Sequence, residues 1–503
     1  MIAFMLSARA ALNRHNDTRA ESPSRGRVRD AVRVAWPPGL PGRVLIALVV
    51  LGTVLRLLSA ISWWPATILE DGYQNFAGTH PFMDALHPAG YALILRAIGQ
   101  VSHQIAVPIF LQHLSGLASA LWLAAATRRI TGSAWPGLLP AAIVLLGGDE
   151  VFLEHSIMSE SWTILAVSIG LYATVRALDR PESWQPWPLV AGLALGTAVT
   201  IRTADLPIIV VAASALLVAR PQLASWRPAL AAVAMAAVVL LAFAGANARF
   251  GLRFGIAPSP GWYLYGRVAQ FADCSRFTPP PGTARLCQKT PAPHRENGYY
   301  YMFLSQAPAP RLFGTFGNDD ALIGGWARRA LEAQFGDFLS TAWLYLSSYY
   351  VPGSKPARLN PSTGLDPQLD FTNRGNIYYD AAGREALEEF FGRFPDYRNE
   401  SGLDVLRGEQ LVTRFGATAL FVATILVLIG LMIGTRRSRV GVLLFGIGGL
   451  SMLLAPVLTG TYSGRYTVPM AGPLLVAAAI TITEELRTFA SRAKRASARA
   501  TSL

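Results

Sequence analysis

Two adjacent carboxylates, Glu70 and Asp71, follow the first strongly apolar run, RVLIALVVLGTVLRLLSAIS over 43–62, and the Trp63-Trp64-Pro65 that ends it. A carboxylate at the edge of a membrane can take a proton from an attacking hydroxyl, bind a cation, or simply be solvated or cap a following helix. Where the electrophile is a sugar carbon bearing a phosphate, the leaving group is already a good anion, so one carboxylate acting as base can suffice. In the same loop, His87-Pro88-Ala89-Gly90-Tyr91 runs into the apolar Ala92-Leu93-Ile94-Leu95. Pro88 and Gly90 shape a turn into a helix. His87, near its start, can donate to a phosphate, hold a sugar hydroxyl, or serve structure alone, and Asp84 carries the same alternatives.

Four arginines lie at membrane depth. Arg56 is inside the first apolar run, Arg202 falls in Thr200-Ile201-Arg202-Thr203, Arg267 follows Gly261-Trp262-Tyr263-Leu264-Tyr265, and Arg465 falls in Tyr462-Ser463-Gly464-Arg465-Tyr466. Arginine is costly in lipid and usually marks a functional or paired site, and its planar fork suits bidentate phosphate binding. Any one of the four can be a snorkelling or ion-paired side chain. Four gathered toward one face point to an anion site. Beside them come Glu154-His155 and Ser159-Glu160-Ser161. Glu160 can pair with an arginine, contact sugar hydroxyls, or help to hold a divalent cation, although no close carboxylate cluster accompanies it. Gln112 and His113, inside an apolar run, read as interhelical hydrogen bonding.

These residues need elements to hold them. The 503 residues are 52% hydrophobic and only 15% charged, which describes a polytopic helical membrane protein and excludes a soluble α/β enzyme. Ten spans are expected, at 43–62, 107–127, 134–150, 160–177, 188–202, 204–219, 229–248, 413–434, 440–459 and 467–484. The fifth and sixth are short and read as a broken or tilted hairpin. Residues 1–42 are polar and arginine-rich and lack the pattern of a cleavable signal, so the first span is expected to stay as an anchor. Ten crossings put both termini inside, together with the arginines of 1–42, Arg128-Arg129, Arg436-Arg437-Ser438-Arg439 and the basic tail 485–503. That distribution accounts for the net charge of +13 and removes nucleic acid as a partner.

The chain then divides into a cytoplasmic basic arm (1–42), an N-terminal transmembrane catalytic module (43–248) whose first extracytoplasmic loop is 63–106, an extracytoplasmic domain (249–412), C-terminal spans (413–484) and the tail. The extracytoplasmic domain should be mainly helical and partly irregular. Within it, 320–350 has helical periodicity suited to lying along the membrane surface. Cys274 and Cys287, thirteen positions apart in a Pro-rich stretch, favour a local disulfide over two free thiols if that stretch faces an oxidising compartment.

In their order along the chain these features resemble the GT-C membrane glycosyltransferases that use polyprenyl-phosphate sugars, and within them the protein O-mannosyltransferase and lipid A aminoarabinose transferase group. The resemblance rests on Asp71 soon after the first span, the HPxGY-like segment from His87 to Tyr91, and the short acid-bearing turn from Glu154 to Glu160. It rests also on Arg202 closing the fifth span and the late Arg465-Tyr466-x-x-Pro469. It covers 43–250 and 413–484. The resemblance implies a multi-pass protein of the cell membrane with an extracytoplasmic active site and a lipid-linked donor bound from the outer leaflet. It implies Asp71, with Glu70 next in order, as base, and inversion at the anomeric carbon. Basic side chains, first Arg267 and Arg202 and then Arg56 and Arg465, would hold the donor phosphate, with His87 and Glu160 beside them. The acceptor, whether glycan, lipid or protein, is open, as is a need for a divalent cation. The competing reading is a transporter or flippase of lipid-linked saccharides, a class marked by internal repeats and mid-membrane polar residues.

Overall fold

A computed structural model of the chain describes residues 37–64, 66, 82, 84–179, 186–219, 226–352, 371, 388–392, 397–460 and 462–500. Its elements in order are α1 (Leu40–Ser62), β1 (Trp63–Trp64), α2 (Gly90–Gly99), α3 (Ala106–Thr131), α4 (Leu138–Leu146), α5 (Gly148–Glu154), α6 (Glu160–Asp179), α7 (Trp187–Ile201), α8 (Leu206–Val218) and α9 (Trp226–Arg249). A second group follows, with α10 (Pro260–Ala269), α11 (Gly298–Phe303), α12 (Pro308–Phe313), α13 (Asp320–Ala333), α14 (Phe335–Ser348), β2 (Tyr397–Arg398) and α15 (Glu400–Thr413). The chain ends with α16 (Ala417–Met432), α17 (Arg436–Val442), a π-helical stretch (Leu443–Ile447), α18 (Gly448–Thr459) and α19 (Val468–Ala500).

Seven of these segments are long and apolar enough to cross a membrane: Leu40–Ser62, Ala106–Thr131, Glu160–Asp179, Trp226–Arg249, Ser401–Met432, Arg436–Thr459 and Gly464–Arg495. The protein is therefore a multi-pass helical membrane protein. The other three expected spans are shorter. α7 and α8 rise roughly 22 and 20 Å at 1.5 Å per residue, less than a hydrocarbon core. The expected span 134–150 is broken: α4 stops at Leu146, Gly147 takes an extended ψ of 115°, and α5 begins at once. Gly192 and Gly196 let α7 lie close on α9, where a Cβ on Gly192 would stand 2.1 Å from the Ala232 carbonyl.

One end of the bundle is tied by arginines. Arg129 pairs with Asp179, Arg437 reaches Asp179 at 2.8 Å and the Arg129 carbonyl at 2.7 Å, and Arg436 donates to the Val218 carbonyl at 2.5 Å. The ends of α3, α6, α8 and α17 therefore meet at this basic end. The opposite ends of α1, α3, α6, α7 and α19 carry the other charged residues of interest.

Between α9 and α16 lies a separate packed unit. Trp262, Tyr265, Tyr301, Ile323 and Trp326 form its core, and Cys274 and Cys287 are joined as a disulfide. The stretch expected to be one periodic helix is two, α13 and α14, parted at Gln334. Trp326 is buried, while Phe335, Leu339 and Trp343 stand exposed along α14. α15 packs on the membrane helices, where Leu403 and Leu406 join Leu55, Trp63, Val151 and Phe152 in one buried cluster. β1 pairs antiparallel with β2, Trp63 opposite Arg398, and the Asn399 amide donates to the Ser62 carbonyl at 2.8 Å.

Candidate functional site

α7 ends where Arg202 turns to an extended backbone. A 3-10 turn, Thr203–Asp205, follows, and Pro207 in the first turn of α8 restarts a helix. The hairpin thus presents Arg202 and Asp205 away from the basic end. Facing them is the 3-10 turn Gly464–Thr467 that precedes α19, carrying Arg465 and Tyr466. The Arg202 guanidinium carbon lies 5.0 Å from the centroid of the Tyr466 ring, and that of Arg465 lies 5.6 Å from the same ring. The Arg465 Nε is 3.6 Å from Oε1 of Glu160, the first residue of α6, where a carboxylate also favours the helix dipole.

Three groups in this cluster hold buried polar atoms without a hydrogen-bond partner among the described residues. These are both terminal nitrogens of Arg202, both carboxylate oxygens of Asp205, and Oε2 of Glu160. Five atoms of opposite charge gather here without closing bonds to one another. Such an arrangement can take up an anion on the guanidinium side and hydroxyls on the carboxylate side.

Arg56 is elsewhere and fully occupied. Its Nε and Nη2 donate to the two oxygens of Glu154 at 2.6 and 2.5 Å. Nη1 donates to the carbonyls of Gly52 (2.9 Å) and Leu145 (2.8 Å), and Nη2 also to that of Val144 (3.1 Å). Val144 and Leu145 belong to the last turn of α4, whose carbonyls the break at Gly147 leaves without helical partners. Arg56 therefore caps a broken span, and the guanidinium has no nitrogen left for a phosphate. Glu154 also faces His113 Nδ1 at 3.0 Å, His113 Nε2 faces His155 Nδ1 at 3.2 Å, and His155 Nε2 reaches the Trp63 carbonyl at 2.6 Å. Gln112, the neighbour of His113, donates to the carbonyls of Glu154 (2.9 Å) and Ser156 (2.6 Å).

Arg267 sits in a third setting. It is fully buried, with its guanidinium carbon 4.5 Å from the Tyr345 ring and 5.3 Å from that of Phe338. Its Nε lies 3.4 Å from the Leu458 carbonyl and its Nη2 3.5 Å from the Thr341 hydroxyl. Burial pushes the guanidinium pKa down, partly offset by Tyr345. The four arginines expected to converge thus separate, Arg202 with Arg465, Arg56 in a helix cap, and Arg267 between aromatic rings.

His87 holds Asp84 across 3.1 Å, while Asp84 accepts the Leu86 amide at 2.7 Å and the Tyr263 hydroxyl donates to the Leu86 carbonyl at 2.9 Å. Tyr91, four residues on, is buried and donates to Gln112 at 2.8 Å. Glu70 and Asp71 lie outside the described residues. Among the described residues no group of three or more His, Cys, Asp or Glu is arranged to hold a metal ion.

Asp205 is the site residue that the sequence analysis passed over, whereas Gln112 and His113, expected to make interhelical hydrogen bonds, do so. Asp205 had a signal: a carboxylate three residues after Arg202 in a hairpin otherwise apolar. The sequence did not name the partners of His113 and His155, which are 41, 42 and 92 residues away in the chain.

No protein-family model and no curated protein matches the chain. Solved structures similar to it include the apo oligosaccharyltransferase of Archaeoglobus fulgidus, at 13% identity and a TM-score of 0.41 over 90% of this chain and 52% of that one. The AglB oligosaccharyltransferase of the same organism, in complex with an inhibitory peptide and a dolichol-phosphate, matches at 11% identity and a TM-score of 0.37, with the same coverage. ArnT from Cupriavidus metallidurans in the apo state matches at 14% identity and a TM-score of 0.33 over 87% of this chain and 77% of that one. The chain spans about half the length of the archaeal oligosaccharyltransferase chains.

Proposed function

We propose that this protein is an integral membrane glycosyltransferase that moves a sugar from a polyprenyl-phosphate donor to an extracytoplasmic glycan, lipid or protein acceptor, with inversion at the anomeric carbon. The observation that carries the reading is the pair Arg202 and Arg465 against one tyrosine ring, with unpartnered Arg202 nitrogens, at the end of the bundle opposite the basic clusters. The positive-inside rule makes that end the outer one.

In this reading the arginine pair takes the donor phosphate, stabilising the charge that grows on it as the glycosidic bond breaks. Glu160 steers Arg465, and Glu160 and Asp205 offer oxygens to sugar hydroxyls. Asp71 removes the acceptor proton, with Glu70 as its neighbour, and attack from the face opposite the phosphate inverts the carbon. His87, held by Asp84, stands in the same loop for contact with the donor. Arg56 and Arg267 drop out of the phosphate site, the first because its donors are spent and the second because it is closed off among aromatic rings.

The test is purified protein in bilayers with a panel of radiolabelled polyprenyl-phosphate sugars, scored for release of polyprenyl phosphate with and without chelator. Asp71→Asn should abolish release in a protein that still inserts and folds. Movement of the labelled lipid between leaflets with its sugar–phosphate bond intact would replace the enzyme by a flippase.

A further inference from the structure

The basic end of the bundle holds a cavity of about 260 Å³. It lies where the short α8 stops at Val218, beside the last turns of α3 and α6 and the first turns of α17. Ile130, Val175, Leu178 and Val440 give it apolar walls, and Arg436, Arg437 and Asp179 bring charge to the same space. Among the described residues three guanidinium groups meet one carboxylate here. Arg129 and Arg437 both pair with Asp179, while Arg436 donates to the Val218 carbonyl at the end of α8. Arg487, which donates to the Thr131 carbonyl at the end of α3, is matched by Glu484 at 3.0 Å. One carboxylate against three arginines leaves a surplus of two positive charges at the cavity.

Arg436 and Arg437 hold that surplus in a form that can take an anion. Each commits only Nη2, Arg436 to the Val218 carbonyl and Arg437 to the Arg129 carbonyl and Asp179. Nε and Nη1 of both make no hydrogen bond among the described residues, and both side chains are exposed. Two guanidinium groups with spare donors suit the oxygens of a phosphate. What the phosphate is attached to follows from the walls. A soluble anion would leave the aliphatic side chains of α3, α6 and α17 facing water, whereas an acyl chain would cover them. Basic pockets between spanning helices are places where anionic lipid headgroups bind.

We propose that this cavity binds an anionic phospholipid, its phosphate on Arg436 and Arg437 and part of an acyl chain against Ile130, Val175, Leu178 and Val440. By the positive-inside rule the lipid comes from the cytoplasmic leaflet. The site stands at the end of the bundle opposite Arg202 and Arg465, and it does not depend on the transfer reaction proposed above.

The test is native mass spectrometry of the full-length protein, titrated with phosphatidylglycerol and, separately, with phosphatidylcholine of the same chains. The first phosphatidylglycerol should bind about thirtyfold more tightly than phosphatidylcholine, at roughly fivefold per arginine, and equal binding overturns the inference. Arg436→Gln with Arg437→Gln keeps an amide donor for the Val218 and Arg129 carbonyls and should erase most of that preference. Arg492→Gln with Arg495→Gln removes the same charge from the exposed tail of α19 and should leave the preference within about twofold. Equal losses in the two double variants would reduce the attraction to net charge and overturn the site. Ala219→Phe sets a ring on the cavity wall with every arginine in place, and should weaken phosphatidylglycerol binding. Unchanged binding would refute the acyl-chain seat. Glycerol phosphate at equal concentration should not displace the lipid, and displacement would make the cavity a seat for a soluble phosphate instead.

Discussion

Gly116 on α3 gives the sharpest test of the buried network. A Cβ added there would lie 1.7 Å from Oε1 of Glu154, 2.5 Å from its carboxyl carbon and 3.0 Å from Nη2 of Arg56. Ordinary carbon–oxygen contact needs about 3.5 Å, so Gly116→Ala forces the carboxylate back by about 1.8 Å. The Arg56–Glu154 bond of 2.5 Å cannot survive that retreat, and two buried charges lose each other. Breaking a buried pair costs roughly 3–5 kcal/mol, and alanine returns about 1 kcal/mol through helix propensity. The net loss should be about 2–4 kcal/mol. Gly245→Ala is the control: it too lies in a spanning helix, nothing stands within 4 Å of its added Cβ, and only the propensity gain applies. Both variants would be unfolded by SDS titration in mixed micelles, read by tryptophan fluorescence against wild type. If Gly116→Ala falls within about 0.5 kcal/mol of Gly245→Ala, Glu154 is not locked by Arg56.

Arg202→Ala and Arg465→Ala should each lower kcat/KM for the polyprenyl-phosphate sugar by about a hundredfold, the usual loss of a charge-stabilising donor; unchanged turnover in a radiolabelled assay would remove them from the site. Replacing Cys274 and Cys287 by Ser should destabilise the unit between α9 and α16 by about 3 kcal/mol, given a thirteen-residue separation, seen as a lower thermal midpoint that wild type reproduces on reduction. Asp320 accepts the Trp262 amide at 3.0 Å, and partial burial raises its pKa above the ordinary 3.8. A carboxyl raised on folding favours the folded state below 3.8 and loses that contribution as pH rises through the raised value. Asp320→Asn, which retains an acceptor, should therefore raise the thermal midpoint at neutral pH and leave it unchanged in acid.

Sequence made the membrane architecture legible because hydropathy and arginine placement are properties of single segments. The seven long spans and the basic end needed nothing else. What sequence could not supply was the partner of each buried charge. Arg56 looks like a ligand for phosphate from its position in an apolar run, and only the break at Gly147, which exposes the Val144 and Leu145 carbonyls, makes it a cap. A nine-residue helix followed at once by another reads in sequence as one span, since no proline marks the break. Arg267 is similar: the Tyr345 and Phe338 rings that enclose it come from α14, more than seventy residues on. α15 reads as part of a soluble domain because it carries Glu400, Asp404, Arg407 and Glu409, yet its Leu403 and Leu406 bury against the first span.

Arg56 and Arg202 differ in what each does with its hydrogen bonds. Burying a guanidinium is expensive unless its donors are met. Arg56 meets all of them, so its energetic account closes within the fold and calls for no ligand. Arg202 leaves two nitrogens unmet among the described residues, next to two carboxylates that also leave oxygens unmet. The Arg202 guanidinium lies 5.0 Å from the centroid of the Tyr466 ring, a cation–π contact that leaves the nitrogens at its edge able to bond an anion. Arg465 approaches the same ring and is drawn by Glu160. A ring shared by two cations is a spacer: it keeps like charges close enough to act on one anion and stops either from being consumed by its own counter-ion. Replacing Tyr466 by Leu should therefore cost more donor affinity than stability, because the arginines would then be free to pair with Asp205 and Glu160.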